Sequence, residues 1–89
     1  MSQDSRELPI TFGAFLVSLA SSAMVHLGEA PDPVTNTTST DLALARQTIQ
    51  LIEILEAKTK GNLDDDETRL MASMLYELRL RYVERSRTA

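Results

Sequence analysis

Residues 11–28 read TFGAFLVSLASSAMVHLG, a stretch without a charged side chain inside a chain whose formal net charge is −4. Its reading decides the fold, because such a run crosses a membrane, directs export, or forms a helix covered on most of its circumference. Mean hydropathy over residues 10–28 is about 1.6, close to the threshold for a spanning helix. Length and flanks argue the other way. Thr11, Ser18, Ser21, Ser22 and His26 dilute the run, and its strictly apolar part falls short of the roughly 20 residues that a bilayer core requires. No aromatic belt or Lys and Arg cluster frames it. The preceding MSQDSRE sets Asp4 and Glu7 against a single Arg6, where a secretory signal carries a positive region. Membrane insertion through this helix is therefore a second alternative, behind a covered helix in a small bundle.

The spacing predicts a first helix over about 12–27, with Thr11 as N-cap and Gly28 in the left-handed position that ends helices. Phe12, Phe15, Leu16, Leu19, Ala20, Ala23, Met24 and Leu27 recur at three and four residues and form the main apolar stripe. Phe12, Phe15, Leu16 and Leu19 are expected to face the rest of the chain. The other side holds Gly13, Ala14, Val17, Ser18, Ser21, Ser22 and Val25. Most of these are small, so a second helix can approach closely there, and this side is the expected dimer surface.

Working outward, residues 1–9 read as a flexible leader ending at Pro9. EAPDPVTNTTST, residues 29–40, is a loop: Pro31 and Pro33 disfavour helix before them, and the hydroxyl-rich run competes for backbone hydrogen bonds. A second helix is expected over about 41–60, capped by Ser39 or Thr40, with Leu42, Ala45, Ile49, Ile52 and Leu55 or Glu56 in one row and Leu44, Leu51 and Leu55 beside it. Its apolar face is broad. Gly61 stops it. Asp64-Asp65-Asp66-Glu67 is a D-x-x-E capping box that opens a third helix over about 65–85, whose stripe is Leu70, Met71, Met74, Leu75, Leu78 and Tyr82. The short connection between the second and third helices predicts an antiparallel hairpin. The fold class is thus all-α, a three-helix chain with one domain over residues 10–86 and a frayed end at 87–89, forming a symmetric homodimeric bundle.

Candidate chemistry is sparse. The 89 residues contain no cysteine, which removes disulfides, thiol catalysis and cysteine metal ligands. His26 is the single histidine, too few for the usual zinc ligand sets, and its place in the last turn of the first helix suits the helix dipole. The DDDE run lacks the alternating ligands and turn glycine of a calcium loop. No G-x-S-x-G motif or phosphate-binding glycine loop is present. No catalytic, cofactor-binding or metal residue is therefore assigned. Arg79, Arg81, Arg85 and Arg87 near the C-terminus, interleaved with Tyr76 and Tyr82, form a candidate nucleic-acid patch. The acidic total charge argues against nucleic acid as a partner, and arginines late in a helix also serve its dipole.

Three blocks together resemble a known family: FLVSLASSAMVHLGEAPDP, DLALARQTIQLIEILEAKTKGNLD and ETRLMASMLYELRLRYVE. The chain resembles the small bacterial family catalogued as domain of unknown function 1844, over about residues 10–84. The resemblance implies a bacterial, cytoplasmic, all-helical protein and supplies no catalytic residues. Lys58, Thr59, Lys60, Gly61, Asn62 and Leu63 match a family motif whose local physics is a helix stop. The expected function is a non-enzymatic helical interaction module that pairs with a second copy and binds a protein partner. The first alternative is an RNA- or ribosome-associated accessory factor using the arginine-rich end.

Overall fold

The computed structural model describes residues 10–88. Three helices account for most of them: α1, Phe12–His26; α2, Leu42–Thr59; and α3, Asp65–Thr88. No strand occurs among the described residues, so the chain is all-α. The expected leader at residues 1–9 and the terminal Ala89 lie outside the described residues.

Each boundary has a local cause. The Thr11 hydroxyl oxygen accepts the Ala14 N–H at 3.0 Å, which satisfies one of the free donors at the start of α1. The other end is a Schellman stop. The Gly28 N–H donates to the Val25 carbonyl at 3.0 Å, and the Glu29 N–H donates to the Met24 carbonyl at 2.9 Å. Gly28 has φ +78°, and a Cβ there would collide with the Thr40 hydroxyl, so both backbone angle and space demand glycine.

α2 starts one residue later than expected, because Asp41 and not Ser39 or Thr40 is the cap. The Asp41 carboxylate accepts the Leu44 N–H at 3.1 Å, while its own N–H donates to the His26 carbonyl at 2.7 Å. That second bond ties the boundary of α2 to the last residue of α1, a long-range constraint that cap preference alone does not contain. The helix ends at Thr59, whose carbonyl accepts the Asn62 N–H at 2.8 Å, with Gly61 at φ +89°. α3 opens on a complete capping box. The Asp64 carboxylate accepts the Glu67 N–H at 2.8 Å, and the Glu67 carboxylate accepts the Asp64 N–H at 3.0 Å. It runs through Thr88, past the expected end at Arg85, so Arg87 and Thr88 continue the helix. Nothing in ERSRT breaks a helix, and Arg85 and Arg87 complement the negative end of its dipole.

Every helix packs on both others. The core consists of Leu16, Ala23 and Leu27 from the α1 region, Ala45, Ile49 and Ile52 from α2, and Met71, Leu75 and Leu78 from α3. Thr48 is buried with them, and its hydroxyl donates to the Leu44 carbonyl at 3.0 Å, so the polar group is not orphaned. Gly13 corrects one expectation: it sits against Leu70 of its own chain, where an added Cβ would lie 3.5 Å from the Leu70 methyl. Phe15 corrects another. Expected to face its own chain, it is about half exposed, because the helices beside α1 cover the Leu16, Ala23 and Leu27 side and leave Phe15 at the edge. Gly13 meets the start of α3, and Glu29, just past α1, meets Arg81 and Arg85 near its end. α1 and α3 therefore run in the same sense.

Candidate interaction surface

The side of α1 expected to carry a dimer is open apart from its ends. Ala14, Val17, Ser18, Ser21 and Ser22 are exposed, Val25 is half-buried, and Gly13 is spent on Leu70. Ser18 uses its hydroxyl internally, donating to the Ala14 carbonyl at 3.1 Å. Ser21, Ser22, Val25 and His26 also line a shallow depression closed by Asp32 and Pro33 of the following loop. That loop has its own order: the Asp32 carboxylate accepts the Val34 N–H at 2.7 Å, and its N–H donates to the Thr37 carbonyl at 2.8 Å.

The larger apolar groups lie beside this side. Phe15 is 48% exposed, and on α2 Leu44, Leu51 and Ile54 are 43%, 52% and 55% exposed. On α2 the series Leu44, Gln47, Leu51, Ile54 and Lys58 advances by three and four, so it is a second stripe, distinct from the buried row of Ala45, Ile49 and Ile52. The sequence shows this apolar face as broad, with Leu44 and Leu51 beside the main row, but does not single out Ile54. A third row, Tyr76, Leu80 and Val83 on α3, is also exposed and was missed, although its spacing of four and three was readable.

The four C-terminal arginines do not form one patch. Arg81 and Arg85 both reach Glu29, with Arg81 Nη1 at 3.2 Å and Arg85 Nε at 2.9 Å from its two carboxylate oxygens. The Arg85 guanidinium also donates to the Gly28 carbonyl at 3.4 Å. Only 22% of the Glu29 side chain is exposed, which shields this pairing from solvent more than the others. Arg81 lies 3.5 Å from Glu77 as well. Arg79 turns to α2 instead, donating from Nε at 3.2 Å and from Nη2 at 2.9 Å to one Glu53 oxygen. Arg87 makes no ion pair among the described residues. Among those residues no three histidine or acidic side chains converge as a metal site would require, and no helix is long and apolar enough to cross a membrane.

The comparisons with known proteins are brief in outcome. The family model described as "Domain of unknown function (DUF1844)" matches residues 9–84, which spans all of α1 and α2 and nearly all of α3. The chain belongs to this family. No curated protein and no solved structure matches it. The family match thus covers the whole apolar surface described above, from Phe15 to Val83, and assigns it no role.

Proposed function

We propose that this member of the family is a non-enzymatic helical interaction module of the cytoplasm, which pairs with a second copy and presents a further surface to a protein partner. The observation that carries this reading is the row of half-exposed Leu44, Leu51 and Ile54 on α2 together with Phe15 on α1. Counting back along α1 and forward along α2 from the bond between His26 and Asp41 puts Phe15 level with Ile52, hence within a turn of Leu51 and Ile54. The small side of α1 adjoins them. A second copy related by a two-fold axis would cover the same face twice.

The α1 and α2 faces together measure about 25 Å by 20 Å from helix length and spacing, or roughly 500 Å² on each copy. Both copies then bury about 1,000 Å², the lower bound for a specific interface. Covering the exposed half of four apolar side chains on each copy returns roughly 6–12 kcal/mol. That is of the same size as the roughly 4–15 kcal/mol cost of association, so a dimer needs the contacts of the small side of α1 in addition to these four side chains. We also read α2 and α3 as an antiparallel hairpin. Its support is the order of neighbours: Lys60 and Thr68 line one depression, Glu53 pairs with Arg79, and Arg46 and Val83 line another.

Sedimentation equilibrium on the purified chain tests the reading. A dimer is expected at micromolar concentration, and a monomer throughout that range sinks it. The RNA reading gains nothing from the placement of Arg79, Arg81 and Arg85, each already paired with a carboxylate. Insertion through α1 has no support either, since α1 is too short to span a membrane.

A further inference from the structure

The outer row of α2, Leu44, Gln47, Leu51, Ile54 and Lys58, has unlike ends. Lys58 is its one charged member and is exposed. The other charges within α2 are turned to α3: Glu53 pairs with Arg79, Arg46 lines the cleft between the two helices, and Glu56 and Lys60 line the depression that reaches Thr68. α1 carries no charged residue, and His26 is its one titratable side chain. At the Leu44 end the charges are acidic. Asp41 caps α2 there, and Asp32 closes the depression lined by Ser22 and His26 of α1, which the bond between His26 and Asp41 sets at the same level. Glu29 lies at this end too but is taken up by Arg81 and Arg85 of α3. Lys58, Asp32 and Asp41 make no ion pair among the described residues.

A two-fold pairing of this face runs its axis either along the helices or across them. With the axis along them, both Lys58 side chains fall at one end of the interface and the aspartates of both copies at the other, like charge beside like. With the axis across them at Leu51, each Lys58 comes to the partner's Leu44, because both residues lie seven positions from Leu51. The two lysines are then about 21 Å apart along the helix, well over the Debye length of about 8 Å, and their repulsion is screened. Each sits instead within about one turn of the partner's Asp41, where opposite charges meet.

We propose that the second copy lies antiparallel on the first, α2 over α2 with the two-fold axis crossing at Leu51, so that Lys58 of each copy answers Asp41 and Asp32 of the other. The proposal rests on the self-association reading and gives the arrangement of the pair. Leu51 is level with Leu16 by the same count that sets Phe15 level with Ile52, so the axis also brings Ala14 of each α1 onto Ser18 of the other. Both residues are small and exposed, which lets the two α1 backbones meet closely. Charge thus sets the orientation, and the small side of α1 sets the closeness.

The chain lacks cysteine, so each introduced cysteine is unique, and cross-linking with a short bis-maleimide shows which positions meet. Leu51→Cys should link to itself as a covalent dimer on a denaturing gel. Lys58→Cys alone should not link, whereas an equimolar mixture of Lys58→Cys and Leu44→Cys should. In sedimentation equilibrium Lys58→Gln should loosen the dimer about threefold at low salt and less at high salt. Removing a lysine that faced its own copy would tighten it. All three positions are exposed, and circular dichroism of each variant establishes that it is folded. The antiparallel arrangement is overturned, with the dimer left standing, by Lys58→Cys linking to itself, by a mixture or a Leu51→Cys chain that does not link, or by a tighter Lys58→Gln dimer. An unmodified chain that sediments as a monomer at micromolar concentration removes the self-association reading and this arrangement with it.

Discussion

α2 carries two apolar rows side by side, and they meet different fates. Ala45, Ile49 and Ile52 are buried, while Leu44, Leu51 and Ile54, each one to a few positions away, stand half in solvent. The residue types hardly differ. What differs is angle: adjacent positions on a helix lie about 100° apart, enough to move a leucine from between two neighbouring helices to their edge. The comparison teaches that apolar character alone does not decide burial, and that the packing of the chain decides which of two similar rows it covers.

The largest effect should come from the inner row. Ile52→Ala opens a cavity among fully buried neighbours and should cost about 2–5 kcal/mol in chemical denaturation, whereas Leu51→Ala should change monomer stability by under about 0.5 kcal/mol. Equal costs at the two positions would abolish the distinction. Next is the outer row as an interface. Leu51→Glu should weaken the dimer at least about 100-fold, roughly 2.7 kcal/mol, and remove any concentration dependence from the thermal midpoint. A dimer that withstands Leu51→Glu places the two-fold face elsewhere.

Gly28→Ala then probes the joint that fixes the angle of α2 against α1. The substitution forces a side chain into a left-handed angle and into the Thr40 hydroxyl, and should cost about 1–3 kcal/mol. Gly61 provides the control, since it shares the angle but has open space around it. Gly61→Ala should cost only about 1 kcal/mol. The smallest effect is electrostatic: Glu29→Gln should cost about 1 kcal/mol at low salt and less at high salt, since Arg81 and Arg85 are more than a third exposed. A loss that ignores salt would mean that Glu29 acts through packing or hydrogen bonding and not through charge.

Much of this fold was legible in the residues. Thr11, Gly28, Gly61 and the Asp64–Glu67 pair each do the local work their types suggest, because caps and stops depend on neighbours within four residues. Asp41 was misread since its role depends on a partner carbonyl fifteen positions back in α1, and sequence proximity favoured Ser39 and Thr40. Phe15 and Gly13 were misplaced for the same kind of reason. Their sides of α1 were assigned by stripe, and the stripe does not say where α2 and α3 stop. The arginines form a cluster along the chain, yet in space Glu29 and Glu53 divide them.

The sequence by itself determined three helices, their ends to within a few residues, and a quantity of apolar surface too large for one small core. Those properties rest on short-range hydrogen bonds, backbone angles and helical periodicity. Only the tertiary structure decided which apolar rows the chain covers internally and which arginines remain free. Both outcomes depend on the angles at which helices far apart in sequence meet, and no local rule encodes an angle between elements.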